Sequence, residues 1–255
     1  MSSLKKIVLL GTGNVSWHLA HAFFKAGADI VQIYGRNAQK AEALAAQVLA
    51  SPISDLDNLV ETADLYLLCI SDNNIAEVTG KLPPLNGIVA HTSGAVHMQV
   101  LSGCNNYGVF YPLQTFVAGT PVDFEKVPIL CEGSSGEVEA ALMSLAFTLS
   151  QKVYAVNSVQ REKLHVAAVF ANNFTNHMLA KAYAICQENN IPFEVLHPLI
   201  EATFTKALSG DPATNQTGPA VRHDDKTIAK HLELLDNSML RELYKVITKS
   251  IQNKA

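Results

Sequence analysis

Up to about residue 157, apolar residues fall in short continuous runs separated by stretches of helical spacing; beyond it, only the helical spacing persists. Runs at residues 7–10, 30–34, 65–70, 87–91, 107–111, 127–131 and 152–156, with a weaker one at Ile53, read as strands. The run L-Y-L-L-C-I at residues 65–70 is apolar throughout, as a strand covered on both faces requires. After the first run, Val15, Leu19, Ala22, Phe23 and Ala26 recur at helical spacing. Helices are expected over residues 37–50, 55–62 and 135–149, and Pro83 and Pro84 break another before the strand at 87–91. Later segments of helical period cover residues 159–189, 193–209, 225–235 and 238–251. Strand-helix alternation closes right-handed units and builds a doubly wound, mostly parallel sheet. The expected fold class is therefore α/β over residues 1–157, followed by an all-α domain over residues 158–255.

The first strand meets its helix through Gly11, Thr12 and Gly13. Gly11 permits a tight turn, Gly13 lets a bound group approach the backbone, and the helix start at Asn14 and Val15 presents unpaired N–H groups to an anion. Ser16 stands where a third glycine is usual and is small enough to keep helix and strand close. Two glycines alone are weak evidence; their place between an N-terminal strand and a helix favours dinucleotide binding, the Rossmann arrangement, over an ordinary turn. The second strand ends Tyr34, Gly35, Arg36, Asn37, with no carboxylate for a ribose 2′-hydroxyl, while Arg36 suits a 2′-phosphate; the expected cofactor is NADP. The same missing carboxylate counts against S-adenosylmethionine, which a glycine turn also accommodates. Asn37 doubles as a helix N-cap. Ser71 and Asp72, and then Thr92 and Ser93, follow the ends of later strands, where a parallel sheet delivers residues to a ligand crevice.

Composition narrows the classes. The chain has 255 residues, 19 basic and 23 acidic, and no basic run that tracks a phosphate backbone, so nucleic acid is not expected as a partner. Cys69, Cys104, Cys131 and Cys186 are scattered, which points to reduced thiols and the cytoplasm. Four apolar residues after Lys5 and Lys6 are too few for a secretion signal, and no run is long enough to cross a bilayer, so no membrane partner is expected. His18 and His21 share a helix face but lack further ligands nearby, so no metal site is expected.

Residues 161–179 are apolar over most of a helical circumference, as a helix in a core or a large interface would be. At 100° per residue His165, Asn172 and Asn176 fall within roughly 20° of one line, with Asn173 on its flank. Such a stripe needs polar partners or a cleft. His165 reads equally as a hydrogen-bonded histidine or as a site residue. Farther on, Thr217, Gly218 and Pro219 lead through Arg222 towards a helix whose start is either a capped turn or an anion contact. Gln114, Asn176 and Arg222 are further substrate-side candidates.

Six motifs together carry a resemblance that runs the length of the chain: G-T-G-N-V at Gly11, Y-G-R-N at Tyr34, H-T-S-G at His91, Y-P-L-Q-T-F at Tyr111, H-V-A-A-V-F-A-N-N at His165 and T-G-P-A-V-R-H-D at Thr217. The chain resembles the Rossmann-like NADP oxidoreductases related to pyrroline-5-carboxylate reductase and deazaflavin-dependent NADP oxidoreductases, whose helical domain is like the C-terminal one of 6-phosphogluconate dehydrogenase. The resemblance implies an NADP-binding domain, a C-terminal helical domain that often dimerises, and no settled substrate. Relatives commonly carry histidine where this chain has Tyr111, and related hydroxyacid dehydrogenases a lysine where it has Val169. The expected function is a reductase taking a hydride from NADPH to a C=O or C=N bond of a small metabolite held between two domains, with His165 donating the proton and Ser93, Asn172 and Asn173 positioning the substrate. A homodimer through the C-terminal helices is expected. The alternative, supported by Val169, is an NADP-binding sensor or scaffold without catalysis.

Overall fold

The computed structural model describes residues 4–253; the terminal residues 1–3 and 254–255, which the expected domains include, lie outside them. Eight strands form one sheet: β1 (Lys6–Leu10), β2 (Asp29–Tyr34), β3 (Ser51–Ile53), β4 (Leu65–Leu68), β5 (Ile88–His91), β6 (Asn106–Pro112), β7 (Ile129–Gly133) and β8 (Val153–Ala155). Their order is β3-β2-β1-β4-β5-β6-β7-β8, parallel throughout except where β6 meets β7 antiparallel. The sheet is doubly wound and mostly parallel, as the patterning requires.

Side chains alternate across β1. Ile7 and Leu9 enter the core on one face, with Leu19 and Phe23 of α1 (Asn14–Lys25). Val8 and Leu10 enter the other, with Leu56, Leu59, Tyr66 and Ile75. The four apolar residues of β1 are fully buried, and each contributes about 1.5–3 kcal/mol by leaving water. α2 (Ala38–Gln47) and α4 (Gly136–Phe147) pack on the face with α1, and α3 (Asp72–Thr79) on the opposite face through Ile75.

Two local expectations are corrected. Residues 55–62 form only a short 3-10 turn at Leu56–Asn58, because the buried Tyr66 hydroxyl donates to Val60 O and accepts from Ala63 N, which holds the following chain out of a helix. The helix over residues 159–189 is not uniform: α5 (Ser158–Ala168) passes into a π-helical segment, Val169–Phe174, before α6 (Thr175–Glu188).

Among the described residues no strand follows β8, and the chain divides into compact units after Thr175. The physical reason lies at Arg161, fully buried on α5. Its Nη1 pairs with Glu132 Oε2 of β7 at 2.5 Å and its Nη2 donates to Val96 O and to Ser158 Oγ, so α5 is fastened to the sheet. The second unit contains the rest of α6 with α7 (His197–Ser209), α8 (Asp225–Glu233) and α9 (Ser238–Gln252). In it, His231 and Tyr244 share a 2.9 Å hydrogen bond that ties α8 to α9. No helix among the described residues is long and apolar enough to cross a membrane.

Candidate functional site

The sheet order changes direction between β1 and β4, and open α/β sheets bind ligands beyond the strand ends at such a point. Gly11, just past β1, has φ +130°, and a Cβ there would stand 2.2 Å from Cys69 O. Only glycine fits. The buried Ser16 hydroxyl donates to Gly11 O at 2.6 Å and so locks the turn from within the first helical turn. Gly13 is the N-cap of α1 and supplies no side chain to its N–H groups, which stay open to a ligand. A Cβ at Gly13 would meet no protein atom within 4 Å; it would project into the groove itself.

From this turn a cavity of about 510 Å³ extends along β2 and α3, lined by Thr12, Gly35, Arg36, Asn37, Lys40 and Ser71 among others. Gly35 is needed because a Cβ there would lie 2.6 Å from Thr12 Cγ2. Asn37 caps α2 by accepting from Lys40 N, which turns Arg36 and Lys40 to the same cavity. Lys81, beside them, pairs with Glu77 at 2.6 Å.

A second cavity of about 370 Å³ shares Gly13, Cys69, Ile70 and Ser71 with the first. It adds Asn14, Val15, Asp72, Thr92, Ser93, Gly94, Tyr111, Gln114, Phe116 and His165. Tyr111, at the end of β6, places its hydroxyl 3.0 Å from His165 Nδ1, with the two rings edge-on. Gly94 passes against the pair. Burial pushes the Tyr111 phenol above its ordinary value, with the positive charge of Arg161 opposing and the negative charge of Asp72 reinforcing the rise. Beneath, His91 is buried and accepts from Ser93 N through Nδ1, while its Nε2 has no partner among the described residues. Burial, with Arg161 and His97 adding positive charge, lowers its pKa to about 3 and keeps it neutral.

A Bacteroides fragilis protein provisionally named an NADP oxidoreductase is 41% identical, over 98% of each chain, with a TM-score of 0.91. The chain belongs to this Rossmann-like NADP oxidoreductase family. Its residues 6–89 match the family described as NADP oxidoreductase coenzyme F420-dependent, and residues 127–251 match a domain of unknown function, DUF2520. The fold is shared more widely. A reductive aminase from Aspergillus terreus, solved with NADPH and ethyl levulinate, is 16% identical over 98% of this chain and 94% of that one, with a TM-score of 0.71. A pyrroline-5-carboxylate reductase from Streptococcus pyogenes is 14% identical over 98% of each, with a TM-score of 0.62. No curated protein matches.

The residues singled out from sequence fall in two cavities, in the π-helical segment that carries Asn172 and Asn173, and in the second compact unit. Gly11, Gly13, Gly35, Arg36, Asn37 and Ser71 line the first cavity; Asn14, Val15, Ser71, Asp72, Thr92, Ser93, Gln114 and His165 line the second. Asn176 and Arg222 lie in the second compact unit. The π-helical segment lies between His165 and Asn176, and its winding is wider than the α-helical 100° from which the polar stripe is drawn. His165 turns to Tyr111, whereas Asn172 in the π segment donates to Thr115 Oγ1 at 2.6 Å, with Asn173 exposed next to it. Of the two readings of this helix, core or large interface, the single chain leaves room for the second: Val166 is 57% and Phe170 64% exposed. Pro219 does not open a helix. It lies in a turn, and the helix that follows is capped by the Asp224 side chain, which closes that N-terminus to an anion. Ser93 Oγ accepts from Ala95 N and Val96 N, shaping the loop while keeping its own proton to donate. His18 and His21, spaced for one helix face, donate to Val117 O and Trp17 O. Tyr111, Thr12, Lys40 and Lys81 were not singled out as site residues from the sequence; the X-P-L-Q-T-F context of Tyr111 was the available signal.

Proposed function

We propose that this protein is a reductase that uses NADPH to reduce a C=O or C=N bond of a small metabolite in the cavity beside His165. The observation that carries the reading is that two cavities share Gly13 and Ser71: one has a glycine turn at a helix start and three cationic side chains, the other a histidine hydrogen-bonded to a tyrosine. Gly11, Gly13 and the N–H groups of Asn14 and Val15 hold the pyrophosphate at the start of α1. Arg36, flanked by Gly35 and Asn37, takes the 2′-phosphate. Ser71, Asp72 and Thr92 border the nicotinamide end.

When bound, NADPH supplies the hydride. His165 is the proton source; Ser93, Asn172 and Asn173 orient the substrate, with Gln114 on the cavity wall. Asn172 acts through the Thr115 contact that fixes the loop after β6. The absence of a lysine at Val169 is met by His165, one helical turn earlier on α5. His165→Ala lowers NADPH oxidation by at least about a hundredfold, the usual size of general-acid effects, with NADPH affinity retained. Unchanged turnover rejects His165 as the proton source.

We also propose a cytoplasmic homodimer through the second unit. Its Leu199, Leu208, Met239 and Val246 are each more than three-fifths exposed, a density of apolar surface that favours a covering partner. Light scattering tests this; a monomer at micromolar concentration rejects it.

A further inference from the structure

We infer that Tyr111 and His165 act as one proton-delivery unit, in which the Tyr111 hydroxyl meets the substrate heteroatom and His165 Nδ1 restores its proton. The inference rests on the reductase reading above and adds to it a second catalytic residue and the path of the proton.

Four features of the chain converge on the pair. Tyr111 ends β6 with its ring buried and its side chain on the cavity wall, so its position is set by the sheet. Its oxygen stands at 3.0 Å from His165 Nδ1, within hydrogen-bond distance for proton transfer. The loop that crosses the pair does so at Gly94, where a Cβ would lie 2.4 Å from His165 Nδ1 and 2.8 Å from Tyr111 Cζ; the contact exists because that position has no side chain. From the other side α5 is fixed by Arg161, one turn before His165, through Glu132 of β7 and Val96 O on the same loop as Gly94. Strand, loop and helix are thus fastened to each other around one hydrogen bond. Burial raises the phenol further above its ordinary value, so it carries its proton until a partner takes it.

The chemistry balances as follows. Hydride from NADPH forms a C–H bond at the acceptor carbon, and the π electrons of the C=O bond move to oxygen. The Tyr111 O–H bond breaks as the substrate O–H bond forms, which leaves the electron pair on the phenolate. The Nδ1–H proton of His165 then passes to that phenolate as the imidazole Nε2 takes up a proton from solvent, so the ring ends with as many protons as it began with. His165 alone, with Nδ1 occupied by Tyr111, has no second route from this atom to the substrate.

Tyr111→Phe removes one oxygen and keeps the packing, so it isolates the proposal from folding. NADPH oxidation with pyruvate, benzaldehyde and pyrroline is measured for the wild type, Tyr111→Phe, His165→Ala and the double variant. The pair predicts a fall of at least about a hundredfold in either single variant, and a double variant within about threefold of the worse single, since residues of one unit do not add. Multiplying losses overturn the unit. If His165→Ala is slow and Tyr111→Phe is not, the inference fails and the reductase reading stands; if neither changes turnover, the His165 reading fails as well. The nitrogen NMR signal of His165 Nδ1 gives a readout independent of turnover: Tyr111→Phe shifts it and leaves the other histidines in place. An unmoved signal overturns the pairing even where none of the three acceptors is reduced.

Discussion

Gly94→Ala places a single methyl group against the proposed proton path. The φ of Gly94 lies outside the left-handed region, so alanine is tolerated by the backbone and the effect arises from the side chain alone. The new Cβ would stand 2.4 Å from His165 Nδ1 and 2.7 Å from its Cγ, against an ordinary contact of at least 3.4 Å. The imidazole must therefore retreat by about 1 Å, which carries Nδ1 beyond hydrogen-bond distance of Tyr111. Overpacking costs about 1–3 kcal/mol and the lost hydrogen bond about 0.5–1.5 kcal/mol. For a chain of this size that lowers Tm by roughly 3–18 °C, which the Tm measurement reads separately from turnover. Turnover falls much further, by about a hundredfold or more, because the pair no longer delivers its proton. The assay is NADPH oxidation at saturating cofactor beside a Tm measurement and NADPH titration. Wild-type turnover in Gly94→Ala, or a loss fully explained by weaker NADPH binding, refutes the reasoning.

Three further outcomes follow from the same geometry. Glu132→Ala leaves the buried Arg161 charge without its carboxylate and destabilises by about 3–5 kcal/mol in urea unfolding, whereas Glu132→Ala combined with Arg161→Met recovers much of the loss; equal stability of the two variants contradicts this. His91 is held near pKa 3 when folded and titrates at about 6.5 when unfolded, so below about 6.5 the unfolded chain takes up a proton that the folded chain does not. Its contribution to stability therefore declines as pH falls from about 6.5 towards about 3, by up to about 1.4 kcal/mol per pH unit, and His91→Gln flattens the urea-midpoint profile; an unaltered slope counts against the buried neutral imidazole. Gly11→Ala drives a Cβ into Cys69 O and abolishes NADPH binding by calorimetry; wild-type affinity in a folded variant removes the turn from the cofactor site.

What was legible in the sequence was local. The run at residues 7–10, Gly11, Gly13 and the helical spacing after them place a strand, a turn and a helix without reference to any other segment, and β1 and α1 lie there. The sheet ends at Ser71 and Thr92 were legible for the same reason: apolar runs stop at small polar residues, and parallel strands put those stops on one edge. Long-range pairings were not. Tyr111 and His165 are 54 residues apart, Glu132 and Arg161 are 29 apart, and neither pair leaves a spacing signal. Nor does V-F-A-N-N-F contain a glycine or proline to announce the π segment in which Asn172 donates to Thr115. The apolar pattern of residues 161–179 leaves core and interface open because composition reports a face that needs covering and not which surface covers it; in the single chain Phe170 and Phe174 stay open.

The central claim, a reductase built around an NADPH groove with Arg36 at its phosphate end, is tested most directly by calorimetric titration of the wild type and Arg36→Ala with NADPH and NADH. The wild type is predicted to bind NADPH at least about tenfold tighter than NADH, since one fully formed charge-assisted contact is worth about 1.5–3 kcal/mol, and Arg36→Ala is predicted to close that gap. Equal affinities in the wild type, or a preference for NADH, would contradict the account.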